Sequence, residues 1–379
     1  MSFSIHEIQN ALEQCNFVAT NTVNKLRASG CDVREERGIL LSSRLGVVRR
    51  DQFGTYVIFR GTETLGIGTW LVTNFQAAST PFRVVDNDIH DLTTPMPMVQ
   101  GCPWKEVMPG RIHQGIFRTW SQLWYGTDCL DTTFFLQMSG RRVLARYAVI
   151  GAPAFCIAWF LNLSLIIAGI LAMLAILFCI AIESGRVERL MHRPCHSKDA
   201  PILKALEACP SSQPIWFVGH SLGGSLATLA FCAYRSRCKA LGKNCDARLI
   251  TFGSPLIGTE QFVNSFEQQS KDAYVHIANS SDPVTFSPPP KWASLYASGH
   301  KLIGLWGILL LFASFIWLTI YSTLWQGQAR YAAWSSGAGI LRLSERSNRI
   351  TLFSHTRASY TRLINSLVAA ISKQKNTHS

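Results

Sequence analysis

Acidic residues are scarce in this chain of 379 residues. Only 23 Asp and Glu stand against 36 Lys and Arg, a formal net charge of +13. Such a balance suits an anionic partner, either nucleic acid or a membrane surface. No stretch interleaves basic with aromatic residues and no DNA-binding motif is present, so the expected partner is anionic lipid headgroups and not nucleic acid. Charge of either sign is missing from two long runs, Ala148 to Ile182 (35 positions) and Leu302 to Trp325 (24 positions). Core helices of a soluble enzyme keep a polar face, so runs of this kind point to a bilayer. Met1 to Asn10 lacks the basic-then-apolar layout of a signal peptide, and none is expected. The 11 cysteines show no Cys-x-x-Cys spacing, and Cys156 and Cys179 sit inside the first apolar run. That argues against a disulfide framework. Asp86-Asn87-Asp88-Ile89-His90-Asp91 reads as a solvated polar loop, and neither metal nor cofactor is expected. No internal repeat is visible, and the length suits one domain with insertions.

What is present centres on Gly219-His220-Ser221-Leu222-Gly223. The apolar run Ile215-Trp216-Phe217-Val218 before it reads as a short buried strand, and Gly224 to Tyr234 after it reads as a helix. Strand, Gly-x-Ser-x-Gly and helix together make a nucleophile elbow, in which the glycines leave room for a sharp turn beside the serine. The turn exposes the hydroxyl near a helix N-terminus, where free N–H groups favour developing negative charge. Elsewhere, residues 2 to 29 read as helical, with a capping box from Ser4 to Glu7. Leu45–Val48 and Thr55–Phe59 read as a hairpin around Asp51-Gln52-Phe53-Gly54. Tyr360, Leu363, Ile364, Leu367, Val368 and Ile371 follow a helical period near the C-terminus.

Four further segments appear in order with the elbow: Tyr56-Val57-Ile58-Phe59-Arg60-Gly61-Thr62, Ile112-His113-Gln114-Gly115-Ile116-Phe117, Thr251-Phe252-Gly253-Ser254-Pro255 and Ser281-Asp282-Pro283-Val284. With Gly-His-Ser-Leu-Gly-Gly, they resemble the class 3 lipases, a group of α/β-hydrolases that includes fungal triacylglycerol lipases and phospholipases A1. The resemblance runs from about Leu45 to Tyr360, the two apolar runs excepted. It implies a mostly parallel central sheet flanked by helices, and a serine ester hydrolase acting on fatty-acyl esters of membrane lipids. Ser221 would be the nucleophile, and Asp282 the acid, placed after the strand Tyr274 to Ala278. The base must follow Asp282 in chain order. His300, His355 and His378 do so, and His355, just ahead of the last helix with Tyr360 five residues on, matches the family pattern best. The oxyanion hole would combine the N–H of Leu222 with that of Thr62. Residues 63 to 75 would form a lid anchored by Trp70, and His113 and His220 join Trp70 as candidate substrate-binding residues.

Topology constrains the apolar runs. The first separates Thr62 from Ser221, and the second separates Asp282 from His355. A single crossing by either would split the site across the bilayer, so if the chain is an enzyme each must enter and leave on one face. As one straight helix the first run would span ~52 Å, more than the ~30 Å apolar core, whereas two arms could cross and return. The second would span ~36 Å, which leaves a single span and a re-entrant segment both open. Arg141, Arg142 and Arg146 precede the first run and Arg186, Arg189 and Arg193 follow it; Lys301 and Arg330 flank the second. Basic residues at all four ends are the pattern of cytoplasmic ends. The expected organisation is therefore a discontinuous hydrolase domain (1–147, 183–301 and 326–379), a membrane hairpin at 148–182 and a membrane-associated insertion at 302–325. Alternatives are a lipase effector attacking another cell's membrane and a non-catalytic, oligomeric membrane scaffold; a homo-oligomer is compatible with either reading.

Overall fold

The computed structural model describes residues 3–36, 44–61, 79–85, 104–125, 201–207, 209, 213–286, 339–344 and 352–377. Helix α1 (Ile5–Thr20) starts where the sequence signals it. The Ser4 hydroxyl accepts the Glu7 N–H and the Glu7 carboxylate accepts the Ser4 N–H, satisfying two of the orphan amides of the first turn. Its buried face is Ile8, Ala11, Leu12, Cys15 and Val18. The helix expected over residues 2–29 is in fact two. The Thr20 hydroxyl and Asn21 amide donate to the carbonyls of Asn16 and Phe17, and Thr22 caps a second helix, α2 (Val23–Ala28). Three short polar side chains in succession compete with the backbone ladder and end it there.

Seven strands form one sheet: β1 (Asp32–Glu36), β2 (Arg44–Asp51), β3 (Gly54–Phe59), β6 (Ile215–His220), β7 (Ala247–Phe252), β8 (Tyr274–Asn279) and β9 (Ile340–Leu343). The order is β1-β2-β3-β6-β7-β8-β9, antiparallel from β1 to β3 and parallel from β3 onward. The β2–β3 hairpin turns at residues 51–54, with Asp51 paired to Gly54. A separate two-stranded sheet joins β4 (Ser79–Val85) to β5 (Trp104–His113).

Both faces of the large sheet are covered, so its central strands are apolar throughout. Val57, Phe59, Ile215, Phe217 and Leu249 face one core, shared with helices α3 (Gln114–Tyr125), α4 (Ile202–Glu207), α5 (Leu222–Ala240) and α6 (Glu260–Gln269). Tyr56, Ile58, Trp216, Val218 and Ile250 face the other, shared with α1, α2 and α7 (Arg357–Thr377). Neighbours along a strand thus alternate between two cores, as a period of two requires. Strands from the parts of the sequence before, between and after the two apolar runs meet in this sheet. Both runs lie outside the described residues. Among the described residues no helix is long and apolar enough to cross a membrane.

For the site, parallel pairing is what matters. Phe59 pairs with Gly219, His220 with Phe252, and Phe252 with Ile277, so the carboxyl ends of β3, β6, β7 and β8 share one edge. Loops leaving that edge are neighbours in space however far apart they lie in sequence.

Candidate active site

Ser221 sits between β6 and α5 with φ 59° and ψ −134°, a conformation that residues with a Cβ rarely adopt. Close packing holds it there. A Cβ on Gly219 would overlap the Gly223 carbonyl, and one on Gly223 would overlap the Phe59 carbonyl. The Ser221 N–H donates to Phe252 O on β7 (2.9 Å), and its own carbonyl accepts the Gly224 N–H (2.9 Å). The elbow is therefore clamped to the strands on both sides.

The structure brings three sequence-predicted residues together. Ser221 Oγ lies 2.7 Å from His355 Nε2, and His355 Nδ1 lies 2.7 Å from Asp282 Oδ2. A carboxylate oxygen only accepts, so His355 carries its proton on Nδ1, which leaves Nε2 free to accept from the serine. Asp282 is fully buried and Ser221 is 7% exposed. A buried carboxylate needs donors on every side, and Asp282 has them: Tyr360 Oη–H on Oδ2 (2.8 Å) and the Val284 N–H on Oδ1 (2.8 Å). Pro283 opens the 3₁₀ turn Pro283–Phe286, so Asp282 stands just past the end of β8, as its place after that strand implied.

Leu222 is the first residue of α5, and a first-turn amide has no partner within its helix. It borders Ser221 and is available to an oxyanion. Gly61 packs against the elbow: a Cβ there would overlap the His220 carbonyl and come within 3.1 Å of Ser221 Cβ. Thr62, Trp70 and the rest of the lid reading lie outside the described residues, as do His300 and His378.

Two residues read as substrate-binding have other partners. His113 is buried (1% exposed) at the end of β5, its Nδ1 accepts the Ile116 N–H at 3.4 Å, and burial pushes the ring down to about 3. A neutral ring enclosed at a strand-to-helix junction orders that junction and presents no surface to a ligand. His220 packs against the base. Its Nε2 is 2.8 Å from the His355 carbonyl, and its ring lies 4.8 Å from the His355 ring and 5.6 Å from that of Tyr360. Burial, then the neighbouring His355, hold it well below the ordinary histidine value.

Sequence reasoning gave Asn279 no part, and Tyr360 only a place in a pattern. Asn279 Nδ2 donates to the Ser354 carbonyl (3.2 Å), and the Asn279 N–H donates to Tyr360 Oη (3.1 Å). The one available signal was a polar residue closing an apolar strand, which is common and unspecific.

Residues 168–292, which carry the elbow and Asp282, match the family model described as Lipase (class 3). Over that segment the chain is similar to the class 3 lipases. A 114-residue stretch is 36% identical to Lipase A of Sodiomyces alcalophilus, covering 27% of this chain and 26% of that protein. A 75-residue stretch is 37% identical to Phospholipase A1-II 5 of Oryza sativa subsp. indica, covering 18% of this chain and 16% of the relative. The chain thus spans about a quarter or less of the length of these curated relatives. Among solved structures, M37 lipase superposes with a TM-score of 0.50 at 13% identity, over 96% of this chain and 95% of that one. At such identity the likeness establishes the fold alone, which is that of an α/β-hydrolase.

Proposed function

We propose that this chain is a serine carboxylic ester hydrolase of the class 3 lipase family that cleaves fatty-acyl esters of membrane lipids through an acyl-enzyme. One observation carries the reading: the hydrogen-bonded sequence Ser221 Oγ, His355 Nε2, His355 Nδ1, Asp282 Oδ2, with both contacts at 2.7 Å. A free serine hydroxyl is a poor nucleophile at neutral pH and needs such a base. His355 Nε2 takes the Ser221 proton as Oγ attacks the acyl carbonyl, and Asp282 stabilises the imidazolium that forms. The Leu222 N–H, with that of Thr62, receives the oxyanion. His355 then returns its proton to the departing alcohol, and water, activated by the same ring, releases the fatty acid.

Phospholipids are the favoured substrates by abundance and charge, with di- and monoacylglycerols next. Net charge of +13 draws the hydrolase domain to anionic headgroups. The apolar runs 148–182 and 302–325 are insertions that attach it to the bilayer, entering and leaving on its cytoplasmic face. Attachment spares the substrate a full transfer into water, at about 0.8 kcal/mol per exposed methylene.

The test is incubation of the purified chain in vesicles of mixed phospholipids and acylglycerols, beside Ser221→Ala, with products identified by mass spectrometry. Fatty acid release by the unmodified chain alone is the expected result and names the lipid class. Absence of release from every lipid, with the protein folded and inserted, would leave a scaffold on a hydrolase fold.

A further inference from the structure

His355 does not sit in a long regular element. It ends a four-residue 3₁₀ turn, Leu352–His355, and helix α7 starts two residues later. A turn this short does not by itself hold an imidazole to within a few tenths of an ångström. Two consecutive carbonyls of the turn are tied to the sheet by side chains. Asn279, closing β8, donates to Ser354 O at 3.2 Å, and His220, closing β6, reaches His355 O at 2.8 Å. We infer that His220 is a positioning residue: its Nε2–H, donated to the His355 carbonyl, fixes the backbone of His355 relative to the residue that follows His220, Ser221.

The chemistry of the contact sets the protonation of the ring. A carbonyl oxygen accepts and cannot donate, so Nε2 must carry hydrogen. The ring must also stay neutral, because its neighbour becomes an imidazolium during turnover and a second cation 4.8 Å away would oppose it. The charged and titratable groups around it are His355 and Arg357, with Tyr360 edge-on and Asp282 beyond the His355 ring. Burial, the Arg357 guanidinium and the imidazolium that His355 becomes during turnover all favour a neutral His220. Because β6 runs directly into the elbow, the histidine that anchors the base and the serine it must reach are adjacent in the chain. Movement of the His355 backbone relative to the nucleophile would therefore strain or break this bond.

The inference rests on the hydrolase reading, and the experiment separates the two. Hydrolysis of a soluble p-nitrophenyl ester is measured for the unmodified chain, Ser221→Ala, His220→Phe and His220→Gln, with melting curves for each. Phe keeps the ring packing and loses the donor; Gln restores a donor near the position of Nε2. The expected result is a fall in kcat of about tenfold for His220→Phe with KM unchanged, and recovery of most of it in His220→Gln. Unchanged kcat in His220→Phe, or an equal fall in both variants, would overturn the inference. Equal inactivity of the unmodified chain and Ser221→Ala would instead fell the hydrolase reading, and with it the catalytic purpose of the contact. Nitrogen NMR of the unmodified chain tests the contact without any variant. His220 is expected as the neutral Nε2–H tautomer at pH 7, and an Nδ1–H or charged ring at that pH would refute it.

Discussion

Tyr360→Phe removes one oxygen atom and almost nothing else. The ring keeps its edge contacts with His220 at 5.6 Å and Phe252 at 6.3 Å, so no cavity opens. The lost hydroxyl makes two bonds in a fully buried environment. It donates to Asp282 Oδ2 at 2.8 Å and accepts the Asn279 N–H at 3.1 Å. A bond to a buried carboxylate contributes about 1.5–3 kcal/mol, and a buried N–H left without its acceptor costs about 1–3 kcal/mol. Stability should therefore fall by about 3 kcal/mol. Catalysis should suffer less. Asp282 keeps the Val284 N–H and the His355 ring, and with one donor fewer its Oδ2 accepts more strongly from the imidazolium. The expected kcat loss is under about tenfold, with KM unchanged. Urea unfolding of both proteins measures the first quantity, and ester hydrolysis at saturating substrate the second. A stability loss below about 0.5 kcal/mol would refute the claim that the hydroxyl satisfies two buried groups. A large kcat loss without destabilisation would show that Tyr360 acts on the chemistry itself.

Acid should destabilise the fold. Burial pushes both His113 and His276 down to about 3, below the unfolded value near 6.5, so the unfolded chain takes up protons first as pH falls. Their contribution is intact above pH 6.5 and is lost between there and about pH 3. The slope is about 1.4 kcal/mol per pH unit for each ring, or about 4 kcal/mol for the pair between pH 7 and pH 5. Urea midpoints at the two pH values check this, and His276→Gln should remove one ring's share of the slope. Gly253 has φ +59°, and a Cβ there would stand 2.9 Å from both Asp282 Oδ2 and Tyr360 Oη. Gly253→Ala should lower kcat by displacing the acid, whereas Gly223→Ala, whose Cβ would overlap the Phe59 carbonyl, should prevent folding; expression with circular dichroism separates them. Ser4→Ala removes the capping box and should cost about 1 kcal/mol by urea unfolding, with kcat unchanged.

Local chemistry was legible without any coordinates. The elbow could be read because strand, turn and helix are contiguous and each glycine answers to steric crowding within a few residues. The Ser4–Glu7 cap and the hairpin at 51–54 were legible for the same reason, since their bonds join near neighbours. Where polar side chains competed with a ladder, at Thr20–Asn21–Thr22, the helical pattern overran the real boundary. Composition set the charge and marked the two uncharged runs.

Other features depended on the sheet. Nothing in the spacing of Ser221, Asp282 and His355 says that they meet. Parallel pairing of β6, β7 and β8 puts the exits of those strands side by side, and the turn before α7 folds back onto them. The roles of His220, Asn279 and Tyr360 were invisible for the same reason. Their partners lie 75 to 135 positions away, and a polar side chain shows in sequence only what it can bond, never what it does bond. Residue type and local sterics thus determined the chemistry available to this chain, and the alignment of strand ends decided which groups could perform it together.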